Sequence, residues 1–399
     1  MAVKLGYKRT EVGTVPEEWD VRPLKYLAAI SHGFGFQSRY FTDSGKYRLT
    51  TPGNFHEGGG FRDIGEKQKY YTGPVPDGYL LNEGDLIVAM TEQAEGLLGS
   101  AALVPLAGSY LHNQRLGKVR PLSSDVSVGF LYRIFNSAPY RARVRETAAG
   151  TKVKHTSPSR LLEIFVPIPP TRLEQDAVAD ALSDADALVE SLEQTLSKKR
   201  LLKKAALQEL LTGKVRLPGF TGDWPSVAFG SLYERVFDRS PLSSGDGGET
   251  GDYPLFISGG APKWTDTALY RATEALIFSD GGVFSVRYFS GDFSVTDHCY
   301  TLTLRSEKAS MAFLAAWFTL NERTLDRLTF KGSGLRNMSK AALGAIEVPQ
   351  PELVEQTAIA AVLSDLDAEL AVVEAKLAKA RALRQGMMQD LLTGRIRLV

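Results

Sequence analysis

The sequence predicts an α+β protein built from two similar, strand-rich, mixed α/β modules, each followed by a long helix. Two observations lead to this prediction: a long internal repeat, and two stretches with an apolar stripe at helical spacing. At 399 residues the chain also exceeds what one hydrophobic core usually organises. We expect the two helices to pair as an antiparallel intramolecular coiled coil with pseudo-twofold symmetry.

The internal repeat is the strongest feature of the sequence. LEQDAVADALSDAD at residues 173–186 recurs as VEQTAIAAVLSDLD at 354–367, and LQELLTGKVRL at 207–217 recurs as MQDLLTGRIRL at 388–398. A weaker similarity links the short polar segments that end in Trp19 and Trp224. A repeat of this length indicates the order module, helix, module, helix.

The repeat divides the chain into five parts. We expect an N-terminal segment at 1–19 that completes a cyclic repeat, modules at 20–165 and 219–347, a central helix region at 166–218 and a C-terminal helix region at 348–399.

Each long helix is predicted from a lack of helix breakers. Residues 174–211 contain neither proline nor glycine, and residues 355–392 contain only Gly386. Gly213 and Gly394, just past the two stretches, suit the left-handed conformation that ends many helices. Each stretch would form a helix of about 38 residues, or roughly 57 Å.

Apolar residues recur at three- and four-residue spacing along both helices, which is the pattern of a coiled-coil seam. An apolar stripe must be buried, and the matching stripe of equal length in this chain is the other copy. The alternative is that each stripe packs on its own module. The predicted seam residues are Leu182, Val189, Leu192, Leu196, Leu363, Leu370, Val373 and Leu377.

Both modules contain short runs of Val, Ile, Tyr and Phe between Gly, Pro, Asn and Asp, which predicts strands joined by turns. Short helices are expected at 128–135 and 311–321. The two modules differ in sequence far more than the two helices do. If both modules bind ligands, this divergence indicates two different ligands.

Each module ends in a basic stretch with a glycine-containing loop, and the two stretches occupy matching places. Lysine, arginine and backbone N–H groups suit contact with phosphates, although a single basic stretch is commonly a solvated surface. The repetition favours DNA binding. The predicted residues are Arg141, Arg143, Arg145, Lys152, Lys154 and His155 in module 1, and Arg327, Lys331, Ser333, Arg336 and Asn337 in module 2.

A second group of polar residues suits the reading of base edges, because Asn and Gln pair with adenine and Arg pairs with guanine. The alternative for each is a hydrogen-bonded loop. These residues are His112, Asn113, Gln114 and Arg115 in module 1, and Arg287 and Tyr288 with Asp297 and His298 in module 2.

The order of parts resembles the specificity subunits of type I restriction-modification systems. The resemblance covers nearly the whole chain and is carried by PTRLEQ at 170–175, ALSDAD at 181–186, LLTGKVRLPGF at 210–220 and their second-half counterparts. It implies two target-recognition domains that read a bipartite site on double-stranded DNA. It also implies that the long helices set the distance between these two domains and dock two methylation subunits. Restriction subunits would be further partners.

The resemblance places the chemistry in those partners: S-adenosylmethionine in the methylation subunit, and ATP with magnesium in the restriction subunit. The sequence agrees, since it has no Asn/Asp-Pro-Pro-aromatic segment and no GxxxxGK[ST] loop. Its five histidines lack the paired spacing of a zinc site. We therefore expect a non-catalytic chain with no catalytic residue, cofactor or metal.

The single cysteine, Cys299, and the lack of a secretory signal or membrane segment predict a cytoplasmic protein. The formal net charge of +1 means that any DNA contact must come from local patches. Two other hypotheses stay open on the sequence alone. One is a coiled-coil scaffold without DNA readout, and the other is a stand-alone methyltransferase.

Overall fold

The computed structural model describes residues 5–92, 94–105, 109–150, 153–332 and 336–398. The chain divides into two compact units: unit 1 is residues 1–191 with 377–399, and unit 2 is residues 192–376. The boundary crosses both long helices. Each unit therefore contains one strand-rich module and part of each long helix.

The strands of unit 1 form an antiparallel sheet, a mixed sheet and two strand pairs. They are β1 (Tyr7–Thr10), β2 (Gly13–Pro16), β3 (Asp20–Pro23), β4 (Ala28–His32), β5 (Phe41–Thr42), β6 (Tyr47–Leu49), β7 (Tyr70–Tyr71), β8 (Leu80–Leu81), β9 (Leu86–Ala89), β10 (Ala101–Leu103), β11 (Ser109–Leu111), β12 (Leu116–Pro121) and β13 (Phe165–Ile168). The antiparallel sheet has the order β10-β9-β12-β4, and the mixed sheet has the order β5-β7-β6-β11-β8. The pairs are β1-β2 and β13-β3.

Among the described residues, the strands of unit 2 form one six-stranded sheet and two strand pairs. They are β14 (Ser226–Ala228), β15 (Tyr233–Val236), β16 (Tyr253–Phe256), β17 (Lys263–Thr265), β18 (Tyr270–Ser279), β19 (Val286–Val295), β20 (Cys299–Leu304), β21 (Phe330–Lys331), β22 (Asn337–Met338) and β23 (Glu347–Pro349). The large sheet has the order β15-β20-β18-β19-β16-β17, and β14-β23 and β21-β22 are the pairs.

The helices are short within the modules and long after them. They are α1 (Val128–Phe135), α2 (Ala138–Glu146), α3 (Pro158–Leu162), α4 (Arg172–Leu210), α5 (Met311–Leu320), α6 (Glu322–Thr329), α7 (Lys340–Gly344) and α8 (Leu353–Leu391). Serine side chains cap α1, α2, α3, α5 and α7 by accepting a backbone N–H from the first turn. The helices predicted at 128–135 and 311–321 are confirmed, as are the two long helices.

Each unit has its own apolar core, which includes part of both long helices. In unit 1, Val178 and Leu182 of α4 join Leu391 of α8 and the module's buried residues. In unit 2, Leu210 of α4 joins Ile359 and Leu363 of α8 in the same way. The apolar stripes of α4 and α8 therefore pack on the modules as well as on each other.

The two helices run antiparallel where each unit pairs them. In unit 2, Lys199 Nζ lies 2.6 Å from a carboxylate oxygen of Glu369, and Lys203 contacts Asp367. In unit 1, Arg384 of α8 contacts Asp186 of α4. In these contacts, higher residue numbers in α4 pair with lower residue numbers in α8, as the predicted antiparallel coiled coil requires. The seam residues are buried or half-buried: Leu182, Val189, Leu192, Leu196, Leu363, Leu370, Val373 and Leu377.

Candidate nucleic-acid interface

In unit 1, two polar segments that are distant in sequence meet at the end of strand β9. The N–H of Met90, just past β9, donates to the Arg115 carbonyl at 3.0 Å, and the Met90 carbonyl accepts from Thr156 N–H at 2.9 Å. The N–H of Glu92 donates to the Lys154 carbonyl at 2.9 Å. This places the turn that precedes β12 on one side of the strand end and the segment around Lys154 on the other.

In unit 2, the same backbone arrangement occurs at the end of strand β18. The N–H of Asp280 donates to the His298 carbonyl at 2.8 Å, and the Asp280 carbonyl accepts from Met338 N–H at 3.0 Å. The N–H of Gly282 donates to the Arg336 carbonyl at 2.9 Å. Arg115 therefore corresponds to His298, and Lys154 corresponds to Arg336.

The local sequence explains why both copies adopt this form. β12 begins antiparallel to the end of β9, and β20 begins antiparallel to the end of β18, so the turn before each second strand must lie beside the end of the first. A matching backbone pairing follows in both copies, Ala149 with His155 and Lys331 with Asn337, and Gly150 and Gly332 beside it have φ values of 100° and 122°. Such positive φ values favour glycine over other residues.

We define strand-end surface 1 as the side chains of Gln114, Arg115, Lys154 and His155, and strand-end surface 2 as those of Asp297, His298, Arg336 and Asn337. All four residues of surface 1 are exposed. His298 and Asn337 are exposed in surface 2, whereas Asp297 and Arg336 are half-buried. The structure thus brings together, in each unit, residues that the sequence suggested for separate reasons.

The two surfaces differ in electrostatics. Among the described residues, no carboxylate pairs with Arg115 or Lys154. In surface 2, Arg336 pairs with Asp326 at 2.9 Å, and Asp297 lies 3.0 Å from Arg239 and 3.9 Å from His298. The N–H of Phe284 and the Arg336 guanidinium lower the pKa of Asp326, so this carboxylate stays charged near neutral pH.

Comparison with known proteins gives the same family for both halves of the chain. The type I restriction modification DNA specificity domain matches residues 16–199 and 225–381. The chain belongs to this family of DNA specificity subunits.

One relative and one solved structure match this chain over nearly its full length, and a second relative matches about half of it. The MjaX specificity subunit of a type I restriction enzyme from Methanocaldococcus jannaschii is 23% identical, over 98% of this chain and 97% of the relative. The EcoBI specificity subunit of Escherichia coli is 26% identical over 51% of this chain and 40% of the relative. The crystal structure of the type I S subunit from M. genitalium has a TM-score of 0.64 at 16% identity, covering 94% and 96% of the two chains.

The prediction of a specificity subunit with two strand-rich domains and two long helices is therefore confirmed. Among the described residues, no helix is long and apolar enough to cross a membrane. Within the same ranges, His, Cys, Asp and Glu side chains form no group of three or more that could hold a metal ion.

Three predicted DNA-binding residues of this specificity subunit lie inside unit 1. His112 is buried with its Nε2 3.0 Å from the Leu116 carbonyl, and burial lowers the pKa of His112 to about 4. Arg141 is buried and donates to the Glu57 and Gly96 carbonyls, and its burial lowers its pKa to about 10. Asn113 is also buried and accepts from the Arg115 N–H at 3.2 Å. His112 and Asn113 therefore stabilise the turn before β12, and Arg141 stabilises the loops that contain Glu57 and Gly96.

The remaining predicted residues lie outside the two surfaces as defined. Arg143 and Arg145 are exposed on α2, where Arg143 pairs with Glu146 at 2.8 Å. Arg327 and Lys331 are exposed in unit 2. Arg287 is half-buried, donates to the Gly260 carbonyl and lies over the Phe256 ring. Lys152 and Ser333 lie outside the described residues.

Sequence reasoning missed Met90 and Asp280, the strand-end residues whose backbone groups hold the segments of each surface together. Their signal was weak, because each follows a buried strand without any motif of its own. In unit 2, the Asp280 carboxylate lies 3.7 Å from Lys340 Nζ. Met90, the equivalent residue of unit 1, is uncharged.

A buried glutamate anchors the start of each long helix. Glu174 accepts from Trp19 Nε1 at 3.2 Å and from two Arg397 nitrogens at 2.7 and 2.8 Å. Glu355 accepts from Trp224 Nε1 at 3.1 Å and from two Arg216 nitrogens at 2.6 Å each. The similarity between Trp19 and Trp224 in the sequence thus marks the same contact in both units.

Proposed function

We propose that this specificity subunit reads a bipartite site on double-stranded DNA, with one half-site at each strand-end surface. The observation that carries the proposal is the matching set of backbone hydrogen bonds around Met90 and Asp280. The same backbone framework carries different side chains in the two units. A protein that recognises two different DNA sequences needs such a difference.

The side chains at the surfaces suit DNA chemistry. Arg115, Lys154 and Arg336 can contact phosphates or guanine, and Gln114 and Asn337 can pair with adenine. Arg145 on α2 adds an exposed cation in unit 1. His112 and Asn113 support the turn that carries Arg115, and Arg141 supports other loops of module 1.

We further propose the five-part division at 1–19, 20–165, 166–218, 219–347 and 348–399. Its support is the C-terminal segment, which returns to unit 1 and places Arg397 on Glu174 as Arg216 is placed on Glu355. The N-terminal and C-terminal segments together then correspond to the single linker between α4 and module 2.

The partners would be two methylation subunits docked on the long helices, with restriction subunits as additional components. Repeat-equivalent apolar side chains support two like docking sites: Leu173 is 70% exposed and Val354 69%, and Leu202 is 63% exposed and Leu383 57%. Mass measurement of the co-expressed complex should find two methylation subunits per chain. A saturated stoichiometry of one would contradict symmetric docking.

The cofactors would belong to these partners, with S-adenosylmethionine in the methylation subunit and ATP with magnesium in the restriction subunit. Calorimetric titration of the isolated chain with S-adenosylmethionine should give no binding heat. A saturable heat would instead favour a stand-alone methyltransferase.

A module exchange tests DNA reading itself. Residues 225–345 are replaced by the same module of a relative, and the host that expresses the chain with its methylation subunit is analysed by methylome sequencing. One half of the methylated site should change while the other half stays the same. Change in both halves, or in neither, would refute the assignment, and no change at all would favour a scaffold without DNA readout.

A further inference from the structure

The electrostatic difference between the two surfaces has consequences for how each binds DNA. Surface 1 presents Arg115 and Lys154 with no carboxylate partner among the described residues. Glu92, the acid beside this strand end, accepts the Gly96 N–H at 3.2 Å. The equivalent cation in surface 2, Arg336, is held by Asp326 at 2.9 Å.

Two further cations beside surface 2 are paired as well. Arg239 lies 3.0 Å from Asp297, and Lys340 lies 3.7 Å from Asp280. A cation paired with a carboxylate adds little net positive potential, and a phosphate must compete with the carboxylate to reach it. Surface 2 therefore resembles a fixed hydrogen-bonding array more than a phosphate-attracting patch.

We infer that the two half-sites are bound by unequal means: surface 1 supplies most of the salt-dependent attraction to DNA phosphates, and surface 2 supplies mainly hydrogen bonds from side chains positioned by their ion pairs. This inference rests on the proposed function, because it assumes that both surfaces meet DNA. It predicts that removing a free cation from surface 1 weakens the salt dependence of DNA affinity. Removing the equivalent ion pair from surface 2 should leave that dependence unchanged.

The experiment measures how the affinity for DNA depends on salt concentration. The full chain, alone and with its co-expressed methylation subunits, is titrated into a fluorescently labelled duplex of mixed sequence at several salt concentrations. The slope of log K against log salt reports the number of phosphates neutralised, at about 0.9 per contact. Thermal unfolding of every variant checks that the fold is retained.

Arg115→Gln and Lys154→Gln should each reduce the magnitude of the slope by about 0.9, because each removes one free cation. The matched variant Arg336→Gln with Asp326→Asn removes the pair equivalent to Lys154 without changing the net charge, and it should leave the slope unchanged. Asp326→Asn alone releases Arg336 and should make the slope steeper.

Two results separate the inference from the function on which it rests. If the paired variant of unit 2 reduces the slope as much as Lys154→Gln does, the two surfaces contribute equally and the inference is wrong. If none of these variants changes DNA binding while the unsubstituted chain binds with a clear salt dependence, the strand-end surfaces are not the DNA contacts, and the proposed function fails at this site.

Discussion

At the scale of single residues, repeated buried contacts explain why the helix regions of the two halves are so similar. Gln175 accepts the Ser127 N–H at 2.9 Å, and Gln356 accepts the Ser310 N–H at 2.9 Å, so each glutamine ties a long helix to the cap of a module helix. The adjacent glutamates, Glu174 and Glu355, bind a tryptophan and an arginine. A change at any of these positions leaves a buried polar partner unsatisfied.

Replacing Glu355 by alanine should destabilise unit 2 by about 2–3 kcal/mol, because Trp224 Nε1 and Arg216 lose their shared acceptor. Urea unfolding of the full chain measures the loss. Glu352→Ala is the matched control, since Glu352 is exposed one turn away and should change stability by at most about 0.5 kcal/mol. Equal effects of the two substitutions would mean that the buried contact contributes little.

His112 makes the stability of unit 1 depend on pH. Burial lowers its pKa in the folded state to about 4, below the usual value near 6.5. The unfolded state therefore binds the proton first, and the stabilisation present above about pH 6.5 is lost as the pH falls toward 4. The loss should approach about 3 kcal/mol at the acidic end.

Unfolding in urea at several pH values measures this dependence. His112→Gln should flatten the profile between pH 7 and 5, where most carboxylates stay ionised. His56→Gln, which changes an exposed histidine of the same unit, serves as the control and should keep the original profile. An unchanged profile in His112→Gln would show that another group causes the dependence.

At the scale of elements, both long helices are acidic in their first half and basic in their second. Antiparallel pairing places the acidic half of each helix beside the basic half of the other, whereas parallel pairing would place like charges together. The charge pattern therefore favours the antiparallel direction. The residues concerned in unit 2 are Lys198, Lys199, Arg200, Lys203 and Lys204 of α4, and Asp365, Asp367, Glu369 and Glu374 of α8.

Reversing two charges tests this pattern. Lys199→Glu with Lys203→Glu places like charges beside Glu369 and Asp367 and should destabilise unit 2 by about 1–2 kcal/mol. In a double-mutant cycle, adding Glu369→Lys and Asp367→Lys should recover most of the lost stability. Added salt should reduce the destabilisation that the two lysine substitutions cause. Lys204→Glu, at an exposed neighbour, is the control. A cycle without recovery would mean that direct pairing does not cause the loss.

The elements also show where sequence reasoning succeeded and where it stopped. Helix breakers and apolar spacing depend on local sequence, so α4 and α8 were predicted within about two residues of their bounds. The strand-end surfaces depend on which strands become neighbours in a sheet, and no local pattern reports that order. Arg141 and Arg145 show a related limit, because one turn of α2 separates a buried arginine from an exposed one.

In the whole molecule, the C-terminal segment makes the same contact with α4 in unit 1 that the linker after α4 makes with α8 in unit 2, because Arg397 binds Glu174 as Arg216 binds Glu355. Tyr7 donates to the Gly394 carbonyl at 3.1 Å, so the N-terminal and C-terminal segments meet in unit 1. In unit 2 the continuous segment after α4 supplies Arg216 and Trp224. Each unit is therefore completed by residues from both halves of the sequence, and neither half of the chain contains a whole unit.

The length of the long helices should set the length of unread DNA between the half-sites. Each long helix has 39 residues. If the helices set the distance between the recognition surfaces, adding seven residues after Leu192 and seven near Leu377 preserves the heptad pattern and lengthens the pair by about 10 Å. At roughly 3.4 Å per base pair, the spacer of the methylated site should grow by about three base pairs.

Methylome sequencing of the host reads the spacer directly. A four-residue insertion after Leu192 alone is the control, because it shifts one apolar stripe against the other and should destabilise the pair without giving a new, defined spacer. Thermal unfolding separates the two variants before the sites are mapped. If the seven-residue variant folds well and methylates with the original spacer, then the DNA or the methylation subunits set the distance, since the helices would have lengthened without moving either half-site.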